Sequence, residues 1–201
     1  RYIAVYGNHD CIINPDTGKE DCEFGRECFK HNVAYDMETD YCSYSVVLNT
    51  SKYGKLKVIV SDTVTTPGDV GHINDIDYIK NELSETDYDK ALIVGHHPFC
   101  DYTETDPDHP DLGTDNYNDF YTAVQDYVDK IIAVFNGHAH LYKELRKLDG
   151  KLKIVVSDAL VDCQYGDLTF PYACTGYQSI NGYYWNITDD PTVIYGLGKN
   201  S

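Results

Sequence analysis

Five of the eight histidines fall in three short segments of one type: Gly7-Asn8-His9-Asp10, Gly95-His96-His97-Pro98 and Gly137-His138-Ala139-His140. Each segment follows an apolar run ("YIAVY", "ALIV", "IIAVF") and offers imidazole nitrogens, with an amide oxygen from Asn8 in the first. Imidazole and amide donors suit zinc, iron, manganese and similar ions. Asn8 and the five histidines of these segments are therefore candidate metal ligands. One histidine at a strand end is ordinarily a hydrogen-bonded surface residue. Three Gly-polar-imidazole ends in one chain call for a shared cause.

The elements that would position these residues are legible as short β-rich runs at 2–7, 44–49, 56–62, 91–96, 131–137, 152–159, 183–188 and 192–197. Several are unbroken apolar strings, the pattern of strands covered on both faces. Between them, Ile76, Ile79 and Leu83 share one face of a predicted helix over 75–86, and Phe120, Val124, Val128 and Ile131 share one over 116–131. Alternating strands and helices predict an α/β fold, a layered sheet flanked by helices. In such sheets the carboxyl ends of the strands form the ligand crevice, and that is where the imidazole segments fall. The last third is richer in strand and turn, with NG and DG turn signals. The segment 101–119, rich in Asp, Pro and Thr, is predicted to be a long loop following a strand end, a usual place for function.

The chain has 201 residues, 42% of them hydrophobic, enough for one domain or most of a larger one. No apolar run approaches the ~18–20 residues of a membrane span. A net charge of −17 repels nucleic-acid backbones, so a phosphate ester would need a local cation such as a bound metal. Of seven cysteines, Cys11, Cys22, Cys28 and Cys42 lie in one excursion between Asp10 and Tyr44. None forms CxxC, so disulfide staples in an oxidising compartment are predicted, with three possible pairings among these four. The sequons at Asn49 and Asn186 agree with a secreted or lumenal glycoprotein.

Taken in order, "GNHD … GHHP … GHAH" resembles the calcineurin-like metallophosphoesterase superfamily, most of all the purple (tartrate-resistant type) acid phosphatases. "SDTVTTPG" at 61–68 and "GYYWNIT … PTVIYGLG" near the C-terminus extend the likeness over essentially the whole chain. The resemblance implies a four-layer αββα sandwich and two metal ions, iron paired with iron, zinc or manganese. It implies that Asn8, His96 and His138 bind the second metal and His140 the first. It places His9 at the substrate phosphate as leaving-group acid, with Asp10 orienting His9 or shaping its surroundings. A loop histidine that contacts phosphate would be His109, with His97 as the alternative. The expected substrate is a small phosphomonoester, hydrolysed by metal-bound hydroxide.

Two motifs that precede GNHD in that family, and supply the bridging carboxylate, do not occur in this sequence. Residues 1–201 are accordingly read as the C-terminal two-thirds of a catalytic domain lacking its N-terminal βαβ part. An N-terminal segment or a partner chain would complete it. Two other readings follow from the same residues: a phosphodiesterase or nucleotidase of the superfamily, and a non-catalytic extracellular scaffold or anchoring protein on a phosphatase fold.

Overall fold

A computed structural model describes residues 3–32, 40–66, 70–102, 112–139 and 143–157, and the strand backbones at 183–185 and 194–196. After a 3-10 turn at Asn8–Asp10 come β1 (Ile12–Asn14), β2 (Lys19–Asp21) and helix α1 (Cys22–Asn32). Then follow β3 (Tyr44–Thr50), β4 (Gly54–Ser61), α2 (Ile76–Ser84), β5 (Lys90–Gly95), α3 (Tyr117–Val124) and β6 (Ile131–Asn136). The chain continues through β7 (Lys143–Lys147), β8 (Leu152–Val156), β9 (Tyr183–Trp185) and β10 (Ile194–Gly196). Six strands form one sheet in the order β3-β4-β5-β6-β8-β7. β4, β5, β6 and β8 are mutually parallel; β3 and β7 close the edges antiparallel.

The crossovers β4-α2-β5 and β5-α3-β6 place both helices on one face. There Ile79 and Leu83 of α2 and Phe120 and Val124 of α3 pack on Ile59, Ile93, Val134 and Ile154 of the sheet. Each such side chain, removed from water, contributes about 1.5–3 kcal/mol. The opposite face carries Leu56, Val58, Val60, Leu92 and Ala133 under Tyr44 and the partly buried Ile3 and Val5. Both faces are covered, which is why these strands read as unbroken apolar runs. Helix α2 starts where Asp75 accepts a hydrogen bond from the Tyr78 N–H at 3.1 Å, an N-cap. The β7–β8 hairpin turns at Asp149 and Gly150, both at positive φ, closed by Lys151 N–H donating to the Leu148 carbonyl. This is the type I′ geometry that DG signals.

Three expectations need correction. The run at 2–7 does not join the sheet within the described residues: at Ala4 its N–H and carbonyl pair with the Tyr44 hydroxyl, at 3.0 and 2.7 Å, in place of a strand. The excursion between Asp10 and Tyr44 is stapled once and is more than a loop: it holds a two-stranded hairpin and an eleven-residue helix. Of its four cysteines, Cys11 and Cys22 form a disulfide while Cys28 and Cys42 are free thiols. The helix over 116–131 is also shorter than its apolar spacing implies, ending as a 3-10 turn at Gln125–Tyr127.

Helix α1 is joined to the sheet by a buried ion pair. Arg26 Nε donates to Asp62 Oδ2 at 2.7 Å, with Arg26 3% and Asp62 0% exposed. Burial works against the Arg26 charge, but Asp62 and Glu23 more than offset it, and the net shift is upward. Asp62 also accepts from the backbone N–H groups of Cys42 and Val64. Its carboxylate is therefore consumed in joining β4 to α1 and the Cys42 segment.

Removing one partner strands the other charge in the interior, typically about 3–5 kcal/mol. Asp62→Ala is expected to lower unfolding stability by that order in denaturant titration, and Arg26→Leu added to it to restore part of the loss. Burial also pushes the Cys42 thiol up to about 12 and the Cys100 thiol up to about 11. Folded protein thus holds these protons longer than unfolded protein. Their contribution is complete below the ordinary thiol range and is lost as pH rises from about 9 through 11–12. Iodoacetamide at pH 8 is expected to label half-buried Cys28 before Cys42 or Cys100, as read by peptide mass.

Candidate metal centre

The parallel strands bring their carboxyl ends to one edge, and the three imidazole segments emerge there or beside it. Asn8 sits in the 3-10 turn, which closes when Gly7 N–H donates to Asp10 Oδ2 at 2.8 Å and Asp10 N–H donates to the Gly7 carbonyl at 2.9 Å. Asp10 thus fixes the turn that presents Asn8. His9, at the centre of the turn, is exposed, while Asn8 is 7% exposed. Helix α1 backs the turn at Gly25, where a Cβ would lie 2.2 Å from the Asp10 carbonyl oxygen. Only glycine allows that approach.

From β5, His96 Nε2 lies 2.9 Å from Asn8 Oδ1. From β6, His138 Nδ1 lies 3.1 Å from His96 Nε2. His138 has φ 68°, and the Ala139 N–H donates to the Gly137 carbonyl at 2.8 Å across it. This is a three-residue turn centred in the left-handed region, a strained arrangement for a residue with a Cβ. It swings the imidazole back over the strand ends. Asn136, immediately before, donates Nδ2–H to the Gly95 carbonyl at 3.1 Å and accepts from the Phe99 N–H at 3.2 Å. It thereby ties the end of β5 to the end of β6 and sets the spacing of the two histidine segments.

His97, expected as a phosphate contact, is fully buried and lies among the donors. Donor atoms of His96, His97 and His138 all fall within 4.8 Å of one another. Among the described residues no carboxylate joins them. His140, His109 and Asn186 lie outside the described residues. Asn49 is exposed near the end of edge strand β3. Thr63, Asn136 and Asp62 were not singled out from sequence as site-shaping residues. The available signal was a polar residue at or just past a strand end, in "SDT" and "FNG".

Four donors on one tetrahedral ion at 2.0–2.1 Å stand about 3.3 Å apart. Asn8 Oδ1 and His138 Nδ1 each lie within a few tenths of that distance from His96 Nε2, a spacing compatible with one divalent ion. All are neutral donors, and a bound cation would keep its full charge within an acidic protein.

No family model and no curated protein sequence matches this chain. Solved structures do. A purple acid phosphatase, PPD1 from yellow lupin (Lupinus luteus) seeds, superposes with TM-score 0.50 at 13% identity, over 89% of this chain and 35% of the phosphatase. The fold is metallophosphoesterase-like. PhoD matches with TM-score 0.47 at 9% identity over 88% of this chain and 49% of its own. GAP50, the anchor in the inner membrane complex of Plasmodium, matches with TM-score 0.47 at 11% identity over 92% and 65%. The chain thus spans from about a third to about two-thirds of these metallophosphoesterase-like neighbours.

The strain at His138 makes a prediction. Left-handed backbone costs a residue with a Cβ about 1–2 kcal/mol, while glycine loses about 0.5–1 kcal/mol to chain entropy. In chelator, His138→Gly is expected to melt at or above the parent temperature and His138→Val clearly below it. A strongly destabilised glycine variant would show that ring packing, not backbone conformation, dominates there.

Proposed function

We propose that residues 1–201 form the C-terminal two-thirds of a metallophosphoesterase catalytic domain that hydrolyses small phosphomonoesters. The observation that carries this reading is the convergence of Asn8 Oδ1, His96 Nε2 and His138 Nδ1 at one edge of a parallel sheet. These residues would hold one metal. His140 would serve a second, together with carboxylates from an N-terminal segment or a partner chain. Bound there, the metals would supply Lewis-acid charge to the phosphate oxygens and lower the pKa of a water to that of a usable nucleophile.

The chain's own residues do the rest. Exposed His9 stands next to Asn8 in the turn and would hand a proton to the leaving-group oxygen. Asp10 keeps that turn closed on Gly7. His109, in the loop over 101–119, is the proposed contact to the substrate's outer oxygens. The net charge of −17 disfavours a polynucleotide substrate and supports a small ester. The Cys11–Cys22 disulfide supports a secreted or lumenal setting.

The test is hydrolysis of p-nitrophenyl phosphate by the full-length protein, beside bis(p-nitrophenyl) phosphate and AMP. Phosphomonoester turnover with bound metal is expected, and His96→Ala or His138→Ala is expected to lower kcat/KM at least about 100-fold. Preference for the bis-ester or AMP would move the chain to the phosphodiesterase or nucleotidase class. Absence of turnover in metal-loaded protein would move it to the non-catalytic, anchoring class.

A further inference from the structure

We infer that His97 is an additional ligand of the metal held by Asn8, His96 and His138, so that this chain alone offers three imidazoles and one amide to a single ion. The inference rests on the metal site proposed above and adds a donor that the family resemblance does not assign. Three observations carry it. The first is proximity: the His97 ring centroid is 4.2 Å from that of His138 and 4.9 Å from that of His96. With His96 and His138 it forms the group whose donor atoms lie within 4.8 Å of one another.

The second is orientation. His97 Nδ1 lies 2.9 Å from Thr63 Oγ1, and the same hydroxyl accepts the His97 backbone N–H at 3.1 Å. A metal-bound imidazole ordinarily engages its other nitrogen with a neighbouring acceptor, which sets the tautomer and the ring plane. Thr63 fills that role at Nδ1 and assigns Nε2 to the metal. The third is confinement. A Cβ at Gly71 would lie 2.4 Å from His97 Cγ, so the base of the ring is seated against bare backbone. Segment 70–73 is held in place by Gly71 N–H donating to the Gly113 carbonyl and His72 N–H donating to the Thr63 carbonyl. The imidazole is thus held in place before any ion arrives, as a preorganised ligand should be.

Three histidines with one weaker oxygen donor resemble the donor chemistry of open zinc sites, where an exchangeable position remains. All donors are neutral, so the ion would be loaded without a bridging carboxylate and would present its charge to an anion.

The test uses metals alone on the full chain. Pulsed EPR of the first equivalent of Cu(II) is expected to count three coordinated imidazoles in the parent and two in His97→Gln. Competition against a zinc chelator is expected to show His97→Gln binding Zn(II) at least about 100-fold more weakly. Thr63→Val should bind about 10–100-fold more weakly with three imidazoles retained. Two imidazoles in the parent, no Cu(II) uptake by the parent, or parent-like zinc affinity in His97→Gln would each overturn the inference. The parent spectrum needs no variant, so misfolding of His97→Gln leaves the question decidable. An inactive protein that shows three imidazoles would sink the phosphatase reading and leave this one standing.

Discussion

A parallel sheet runs out of ladder partners where its strands end, and the backbone groups there must be satisfied by something other than a neighbouring strand. In this chain the substitutes are side chains just beyond the strands. Asn136 bonds the Gly95 carbonyl and the Phe99 N–H, Asp62 takes the Cys42 and Val64 N–H groups, and the Thr63 hydroxyl takes the His97 N–H. Each bond that closes a strand end also sets the separation of the segments bearing histidines. The need to pair these backbone groups is therefore what ties the histidine-bearing segments to their neighbours.

The charged groups at this edge divide the work. Asp62, the carboxylate just past β4, is paired with Arg26 and fully enclosed. The donors that remain among the described residues are one amide and three imidazoles, with no carboxylate. A second buried cation, Lys57, is held on the helix face by Glu82 and Glu85 and lies over the Tyr88 ring. Its shift is likewise upward, because the carboxylate partners outweigh the cost of burial. An acidic protein thereby keeps these buried charges paired, away from a donor set of imidazoles and an amide.

Rigidity at the site comes from unrelated sources acting on neighbouring atoms. The left-handed turn at His138 is strained backbone. The closed turn at 7–10 rests on a carboxylate cap and on the bare face of Gly25. The seat of His97 is a hydroxyl on one side and the bare face of Gly71 on the other. Conformations of this kind persist only where the surroundings over-determine them, and they concentrate where ligands bind.

Much of this was legible in one dimension. Apolar runs bounded by polar residues marked β3, β4, β5, β6 and β8, because strands covered on both faces must be apolar throughout. Helical spacing marked α2 and α3, and the Gly-polar-imidazole endings marked the edge where chemistry could sit. Less was legible where local pattern and tertiary partner disagree. The run at 2–7 has strand composition but pairs with a tyrosine hydroxyl, since a strand is defined by its neighbour. Helix α1 was hidden by its cysteines and its weak apolar stripe, and it is held by an ion pair formed across 36 residues. By itself, the sequence determined which residue types reach the carboxyl edge, because period and punctuation are local properties. Only the tertiary structure decided that Asp62 is a tie and that His97 stands among the donors. Both depend on which distant atom comes within about 3 Å, and that distance is a property of the packed chain.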